Sequence, residues 1–362
     1  MVDYRVQVRD STGSNFGPGN LIAEFREAVN IGWGEYLNDV PEAFFTISQD
    51  DPNITVLRAH RNKAHIRIIR DGTTVWGGIL GEWSANERDA IFYGYGYSAL
   101  LHLIVTDWNV AYSSTQINVI VDDAFDRAKS DLTSTLSGWL TKGTIEAPVT
   151  TSGGATPIVL PSYRMFHKRI LAVMQEMAAI AIGDTTNVVT FEVTPTGTFN
   201  FWKNRGSDVA VDWRYPEQIQ SFDEGAIPIL RRNDLFGVGI NPNDITLRDN
   251  ETSPSDITTN GRRQEPLFFP WVRDSLELER VLLLRLSRAV REDIEIPIIL
   301  FPGATVPPRT PTSTWGLGDR VGVRMNRGVT SINTRLMVAG YQVIYVRGVE
   351  RIRPILQERP GT

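Results

Sequence analysis

Three closely spaced aspartates are candidates for catalysis or cation binding. Asp122, Asp123 and Asp126 are the residues concerned, and clustered carboxylates can act as a general acid and base or bind a cation. The same stretch places apolar residues at i, i+3, i+4, i+7 and i+8 between Ile117 and Phe125, which is typical of an amphipathic helix. The aspartates fall on the opposite face, so we interpret them as a solvated helix surface.

The four histidines do not form a metal or catalytic motif. They are His60, His65, His102 and His167, and no pair has the close helical spacing of a metal site. The chain contains no cysteine, which excludes disulfides, cysteine-based zinc sites and thiol catalysis. We therefore predict no catalytic residue, no cofactor-binding residue, no metal site and no cofactor.

Other motif-like stretches favour structure over chemistry. "GYGYSALL", residues 94–101, has a G-x-G spacing but lacks the third glycine and the lysine of a phosphate loop. The basic pairs Arg231-Arg232 and Arg262-Arg263 have no nearby aromatic platform for bases. Asp50-Asp51-Pro52-Asn53 fits a turn, with calcium binding as an open alternative. Because no nucleophile-elbow, zinc-protease or Walker motif occurs, we predict that the protein is not an enzyme.

Size and composition are those of an ordinary globular chain. With 362 residues, of which 41% are hydrophobic and 22% charged, the chain can form two or three domains with proper cores. Its net charge of −5 excludes a broadly basic nucleic-acid binder. No apolar run approaches the ~20 residues of a membrane helix, and the charged, alternating N-terminus is unlike a signal peptide. We expect no stable membrane insertion by this chain. We also expect it to fold in a cytoplasm, or to leave the cell by a route that needs no cleaved signal.

Residues 1–105 predict a β domain of short strands separated by turn signals. Its clearest element is "RIIRDGTTVWGGIL", residues 67–80, in which Asp71-Gly72 predicts a tight hairpin turn because glycine reaches positive φ. Gly77-Gly78 in the returning strand would let that strand bend or bulge sharply. Such a bend is what the closure of a small barrel requires.

Residues 106–225 predict a compact α+β unit. It contains the amphipathic helix described above, a second helix in "YRMFHKRILAVMQEMAAIAIG" that ends at Gly183, and a hairpin that turns at residues 195–197.

Residues 226–362 return mainly to β structure. A polar, turn-rich stretch predicts a long loop over residues 241–270, a helix follows near 275–291, and "VPPRTPTST" at 306–314 predicts a second mobile loop. The last strand is predicted in "TRLMVAGYQVIYV", and the sequence after it is interpreted as a tail.

The order of these pieces resembles one known family. The pieces are "AFFTISQDDP", "IRIIRDGTTVWGGILGEW" and "AIFYGYGYSALL", then the helix-containing insert with "VTFEVTPTGTFNFW", then "RRNDLFGVGI" and "LGDRVGVRM". Over about residues 20–350 this order is similar to that of the baseplate hub or tail-associated (tail hub) proteins of long-tailed phages. The resemblance implies an α+β, mainly β fold. Two tail-tube-like β-barrels, at 1–105 and 226–362, would be linked by a smaller α+β insert at 106–225.

The resemblance also implies a function. A homotrimeric ring would form the structural hub of a phage tail tip or baseplate, adapt the sixfold tail tube to the threefold tip and surround the DNA channel used in genome ejection. Implied partners are the tail tube or distal tail protein ring, other tail-tip or fibre proteins and the tape measure protein. DNA would pass through the channel without sequence-specific binding. The implied location is the tail tip of the virion, after assembly in the host cytoplasm, and no catalytic residue is carried over.

Two alternatives stay open at this point. A distal-tail or receptor-binding tail protein of similar build would contact host carbohydrate through aromatic residues, and a cell-wall hydrolase would use a site that no motif reveals. The tryptophans that could anchor such contacts or a subunit interface, or be ordinary core residues, are Trp33, Trp76, Trp83, Trp202 and Trp213.

Overall fold

The computed structural model describes most of the chain. The residues described are 2–10, 19–26, 30–61, 63–106, 109–131, 138–149, 157–165, 167–183, 189–203, 205–222, 232–240, 246–269, 296–327 and 330–357, together with 275, 278, 279, 282 and 286. Strands predominate over helices among them, which confirms the prediction of a mainly β chain.

The strands are β1 Tyr4–Arg9, β2 Leu21–Phe25, β3 Asn30–Tyr36, β4 Glu42–Ser48, β5 His65–Arg70, β6 Thr73–Ala85, β7 Asp89–Gly96, β8 Val110–Gln116, β9 Thr141–Ile145, β10 Val159–Met165, β11 Thr190–Val193, β12 Thr198–Trp202, β13 Asp208–Arg214, β14 Ile219–Phe222, β15 Asp234–Ile240, β16 Thr246–Thr252, β17 Gln264–Phe269, β18 Ile296–Leu300, β19 Arg320–Arg327, β20 Thr330–Val346 and β21 Val349–Gln357. The helices are α1 Ile54–Ala59, α2 Ala99–Leu103, α3 Ile117–Asp131, α4 Ile170–Gly183 and α5 Pro254–Asn260.

Thirteen strands form one large sheet that has two halves. The N-terminal half runs β2-β1-β5-β6-β7-β4-β3, and the C-terminal half contains β13, β14 and β18 to β21. The halves meet where β3 pairs antiparallel with β20, from Tyr36 opposite Gly340 to Asn30 opposite Val346. Both halves contribute to one hydrophobic core, which includes Val6 from the first and Val343 from the second.

The alternation predicted for these strands is visible in their burial. In β1, every second residue beginning at Tyr4 is buried, because successive side chains of a strand point to opposite faces. Among the described residues, the ladders follow an open path that ends at β14 and β2. Two closed barrels are therefore not confirmed. The predicted boundaries at residues 105 and 225 stay predictions, and β13 and β14 lie in the large sheet although the insert was predicted to contain them.

The hairpin in residues 67–80 has the predicted turn. Asp71 and Gly72 have φ values of 47° and 82°, as expected for a two-residue turn that needs positive φ at both positions. The ladders on either side of Gly77-Gly78 shift register, between Ile68 and Ile69 on β5 and between Leu80 and Trp83 on β6. The glycine pair at which the bend was predicted thus lies between two shifts in strand register.

The α+β unit packs around a second core. Helix α3 spans Ile117–Asp131 and confirms the predicted amphipathic helix, since the five apolar positions from Ile117 to Phe125 are buried together with Ala128. The second helix ends at Gly183 as predicted but begins only at Ile170. Its predicted first residues, Tyr163 to Met165, instead belong to strand β10, which pairs with β8. The hairpin at 195–197 is confirmed as the β11–β12 turn.

The prediction of a long loop over 241–270 was wrong. Strand β16, helix α5 and strand β17 occupy most of that range, and β15 lies between the two strands in a three-stranded sheet. β16 is a polar edge strand, and Pro254 at the start of α5 suits the first turn of a helix, so the composition suggested a loop. Residues 241–245 lie outside the described residues.

A helical segment covers one face of this small sheet. Leu278, Leu282 and Leu286 are buried against Leu235 of β15, and all three leucines are helical. This agrees with the helix predicted near 275–291, most of which lies outside the described residues.

The predicted C-terminal tail is a strand of the large sheet. Strand β21 pairs antiparallel with both β20 and β18. Arg347 and Gly348, with φ values of 48° and 85°, form the turn that leads into it. In the part of the chain that the structure describes, no helix is long and apolar enough to cross a membrane.

Candidate functional site

The four histidines lie in separate environments. Nδ1 of His60 is 2.8 Å from the carbonyl oxygen of Val56 at the end of α1, His102 contacts Arg169, and His167 follows strand β10 with a φ of 52°. The structure does not bring them together, and each has a local structural partner or role.

His65 is the one buried histidine. Its Nδ1 lies 2.8 Å from the Tyr97 hydroxyl oxygen, and its ring centroid is 4.0 Å from that of Trp139. Burial, with a smaller effect of Arg67, lowers the pKa of His65 to about 4. A neutral imidazole is thus packed at the contact between the large sheet and the α+β unit.

The aspartates of α3 are ion-paired. Lys142 of β9 lies 2.6 Å from Asp122 and 2.7 Å from Asp126, while Asp123 accepts hydrogen bonds from Tyr112 and Arg127. The aspartates lie on the polar face of the helix as predicted, but Lys142 and Arg127 partly neutralise their charge. Among the described residues, no three acidic or histidine side chains are grouped so that they could hold a metal ion.

The glycines of "GYGYSALL" serve packing. They lie in β7, where a Cβ on Gly94 would be 2.8 Å from the Trp76 ring and a Cβ on Gly96 would be 2.8 Å from Pro41. The interpretation of this stretch as structural is supported, because Trp76 and Pro41 occupy the space next to the two glycines. The next helix, α2, has five residues and no side-chain cap.

The remaining predicted candidates also have structural partners. Asp51 accepts a hydrogen bond of 2.8 Å from the backbone N–H of Asn53 just before α1, and Arg262 forms an ion pair of 2.6 Å with Asp234. Arg231 lies outside the described residues. Trp33, Trp76 and Trp213 are core residues, and the other two tryptophans are half-buried.

The most connected polar site was missed by the sequence interpretation. Arg309, in the segment between β18 and β19, reaches two carboxylates: Nε lies 2.7 Å from Glu35 of β3, and Nη2 lies 2.8 Å from Glu192 of β11. Arg205 adds a second cation 2.7 Å from Glu192, and Tyr341 of β20 donates a hydrogen bond of 2.8 Å to Glu35. We call these five residues the ionic junction.

The electrostatics of the ionic junction favour its charged form. Burial disfavours the charge on Arg309, but the carboxylates of Glu35 and Glu192 raise the pKa of the guanidinium above its ordinary value. Burial likewise opposes the charge on Glu192, yet Arg205 and Arg309 lower the pKa of that carboxyl. The junction therefore ties the large sheet, the α+β unit and the 301–319 segment together. The sequence gives little indication of the ionic junction, because Glu35 and Glu192 are 274 and 117 residues away from Arg309 along the chain.

The outer face of the large sheet carries a trough of about 180 Å³. It lies across strands β20, β3, β4 and β7, where β3 presents only Gly32 and Gly34 at its central outward positions. The side chains that surround this trough include Tyr36, Glu42, Phe44, Tyr93, Tyr95 and Gln342. We call it the aromatic trough.

Solved structures of similar fold indicate what kind of protein has this architecture. The 43 kDa tail protein of prophage MuSo2 from Shewanella oneidensis matches with a TM-score of 0.66 at 11% identity, over 98% of each chain. A tail protein from Neisseria meningitidis matches with a TM-score of 0.62 at 14% identity, over 98% of this chain and 97% of that chain. The fold is that of phage tail proteins.

A third phage structure agrees with the first two. The prophage tail protein gp18 from Listeria monocytogenes matches with a TM-score of 0.54 at 11% identity, over 99% of this chain and 95% of that chain. The predicted resemblance to phage tail proteins is confirmed at the level of fold. No protein-family model matches the sequence, and no curated protein matches it either.

Proposed function

We propose that this chain is the structural hub of a phage tail tip or baseplate. The observation that carries the proposal is the agreement of the whole chain with tail proteins, over 97% or more of both chains in two cases. The agreement extends over nearly the full length of each chain, so it is not limited to one module. A likeness restricted to a single sheet would say much less about function.

The hub would be a homotrimeric ring around the DNA channel. Each chain supplies two β halves. We assign the first to a tube-like unit in residues 1–105 and the second to a tube-like unit in residues 226–362 that also includes strands β13 and β14, with the rest of the α+β insert at 106–225 between them. Three chains would present six such units, which suits a threefold ring that docks on a sixfold tube. The β3–β20 ladder supports such a ring, because it joins the two β halves of one chain edge to edge, as neighbouring units of a ring would be joined.

The ionic junction supports a mechanical role. It joins segments from three parts of the chain through side chains that are at most 20% exposed. A buried charge that loses its partner is costly, so the junction opposes separation of the insert from the large sheet. A ring through which DNA passes under load needs its modules to keep their relative positions.

A position at the tail tip of the virion determines which proteins the hub would contact. We propose contacts with the tail tube or distal tail protein ring, with other tail-tip or fibre proteins, and with the tape measure protein, all within the virion tail. The net charge of −5 suits a channel that passes DNA without holding it, because tight DNA binding depends on many phosphate contacts from lysine and arginine. Sequence-specific DNA binding is not part of the proposal.

The oligomeric state is tested on the purified full-length chain. Native mass spectrometry at two concentrations is expected to give about 120 kDa, three times the 40.5 kDa of one chain. Electron microscopy of the same sample, and of intact particles, is expected to show a threefold ring with an axial channel. A ring of six chains with one tube-like unit each at the tube contact, or a monomer in intact particles, would contradict the proposal.

No catalysis is assigned to the hub. A zymogram on peptidoglycan is expected to show no clearing by the purified chain, and metal analysis is expected to find no stoichiometric zinc or calcium. A cleared band that is lost in Asp123→Ala would favour the hydrolase alternative. The alternative in which tryptophans contact host carbohydrate loses support, because Trp33, Trp76 and Trp213 are buried.

A further inference from the structure

We propose that the aromatic trough binds a saccharide. The trough combines flat aromatic surface with hydrogen-bonding groups that have both donor and acceptor character. It lies in the middle of a sheet, so its walls are held by paired strands on both sides, as a preformed ligand site requires.

Two of the rings lie along the sheet. The Phe44 ring occupies the space over Gly32, with Cε1 2.1 Å from the position that a Cβ there would take. The Tyr95 ring covers Gly81 in the same way, with Cε2 at 2.6 Å. Both rings are only half-buried, so part of each remains accessible to a ligand. Tyr93, on the strand of Tyr95, is 37% exposed.

The polar groups stand beside these rings. Glu42 lies between Phe44 and the end of β3 on the exposed face, and among the described residues it has no ion pair. Gln342 donates a hydrogen bond of 3.0 Å from Nε2 to the Tyr36 hydroxyl, and its side-chain carbonyl oxygen can accept a hydrogen bond from a ligand hydroxyl. A carboxylate and an amide next to aromatic faces can accept and donate to several hydroxyl groups at once.

These features fit a saccharide better than other ligands. A sugar ring has an apolar C–H face that can stack on Phe44 or Tyr95 and hydroxyl groups that can reach Glu42 and Gln342. Nucleic acid would bring phosphates next to Glu42. A peptide could not add as a β-strand here, because there is no free strand edge: β3 pairs with β20 and β4, and β4 pairs with β3 and β7. The trough spans three strand spacings, about 14 Å, which gives room for a short oligosaccharide.

The test uses the full-length chain on a microarray of bacterial polysaccharides and their oligosaccharides. The strongest hit is then measured by isothermal titration calorimetry and by saturation-transfer NMR. We expect binding that weakens at least tenfold in Tyr93→Ala and in Glu42→Gln. Phe268→Ala, at a side chain 59% exposed on β17, and Glu87→Gln, in the β6–β7 turn, are the matched controls and are expected to bind as the wild type does.

Several outcomes would overturn the proposal. Absence of binding to every glycan on the array is one, and equal binding by Tyr93→Ala and the wild type is another. A third is that no glycan binds while Tyr93→Ala changes the mass of the assembled particle, which would identify the trough as a contact between copies of the chain. Circular dichroism of each variant shows that a lost signal does not come from unfolding.

Discussion

The carbonyl oxygen of Pro195 lies 2.1 Å from the position that a Cβ on residue 77 would occupy. Gly77 sits in β6 between the two register shifts of that strand, and Pro195 belongs to the β11–β12 turn of the α+β unit. Because Gly77 has no side chain, the β11–β12 turn can pack directly against the backbone of the large sheet. This contact gives the glycine pair of the 67–80 hairpin a role in joining two modules.

Gly77→Ala is expected to destabilise the chain by about 2 kcal/mol, because a methyl group there must displace a backbone carbonyl. Urea unfolding followed by tryptophan fluorescence measures the effect. Gly316→Ala is the matched control, since the nearest atom to its Cβ position is 3.7 Å away. Equal stability of the two variants would mean that the turn moves aside freely.

Arg309→Met is expected to cost about 3 kcal/mol, because it leaves Glu35 and Glu192 without their shared cation in a buried site. The lowered pKa of Glu192 contributes stability that is present above its unfolded pKa of about 4.5 and is lost as pH falls through the lower folded value. The loss caused by the substitution should therefore shrink toward pH 3.

The control for the junction is Arg324→Met, because Arg324 pairs with Asp212 while its own side chain is 56% exposed. Exposed ion pairs contribute little, typically less than about 1 kcal/mol. Urea unfolding at pH 7 and pH 3 separates the two variants. Similar losses in both, without a pH dependence in Arg309→Met, would show that the junction stabilises the chain no more than a surface pair does.

Local signals predicted the local elements of this fold. Asp71-Gly72 marked a turn that needs positive φ at two positions, and the apolar spacing of α3 matched its buried face residue by residue. Strand β16 was missed because an edge strand with one solvated face is polar. Strand β21 was missed because Arg347, unlike asparagine or aspartate, is an uncommon residue at positive φ.

The candidate sites depended on contacts that sequence spacing does not contain. Arg309 lies in a proline-rich segment that was predicted to be a mobile loop, yet it contacts Glu35 and Glu192 from distant parts of the chain. The aromatic trough arises from the register of four strands, which places two glycines of β3 next to Phe44 and Gln342. Register follows from the assembled sheet, and no single strand specifies it.

Acid is expected to destabilise the chain through His65. Burial lowers the pKa of this imidazole to about 4, whereas a histidine in the unfolded chain has a pKa of about 6.5. Between these values the unfolded state binds a proton that the folded state does not, so stability falls as pH decreases from about 6.5 to about 4. NMR titration of the imidazole and urea unfolding across this range measure both quantities.

The control for His65 is His60, which is half-buried at the end of α1. His65→Gln is expected to flatten the dependence of stability on pH between 6.5 and 4, whereas His60→Gln should leave it unchanged. A His65 resonance that titrates near 6.5 would contradict the prediction, since it would show that the folded protein accommodates the charged ring next to Tyr97 and Trp139.

Asp123→Ala is expected to destabilise the chain by about 1 kcal/mol. The substitution removes the acceptor of hydrogen bonds from Tyr112 and Arg127, and such bonds to a charged group contribute more than neutral ones, although partial exposure reduces the effect. A purely solvated helix face would predict a smaller loss, at most about 0.5 kcal/mol, as for a surface residue. Burial opposes the charge on Asp123, but the two donors lower the pKa of the carboxyl. Its contribution is therefore present above about pH 3.8 and is lost at lower pH.

The neighbouring Asp122 provides the comparison, because it lies on the same helix and pairs only with the exposed Lys142 among the described residues. Asp122→Ala should change the free energy of unfolding by less than about 0.5 kcal/mol. Asp123→Asn should fall between the two alanine variants, since its amide oxygen still accepts a hydrogen bond from Tyr112 but carries no charge for Arg127. Urea unfolding at pH 7 gives all three values. If Asp123→Ala and Asp122→Ala prove equally stable, Tyr112 and Arg127 find water as easily as they find the carboxylate, and the cluster is no more than a solvated helix face.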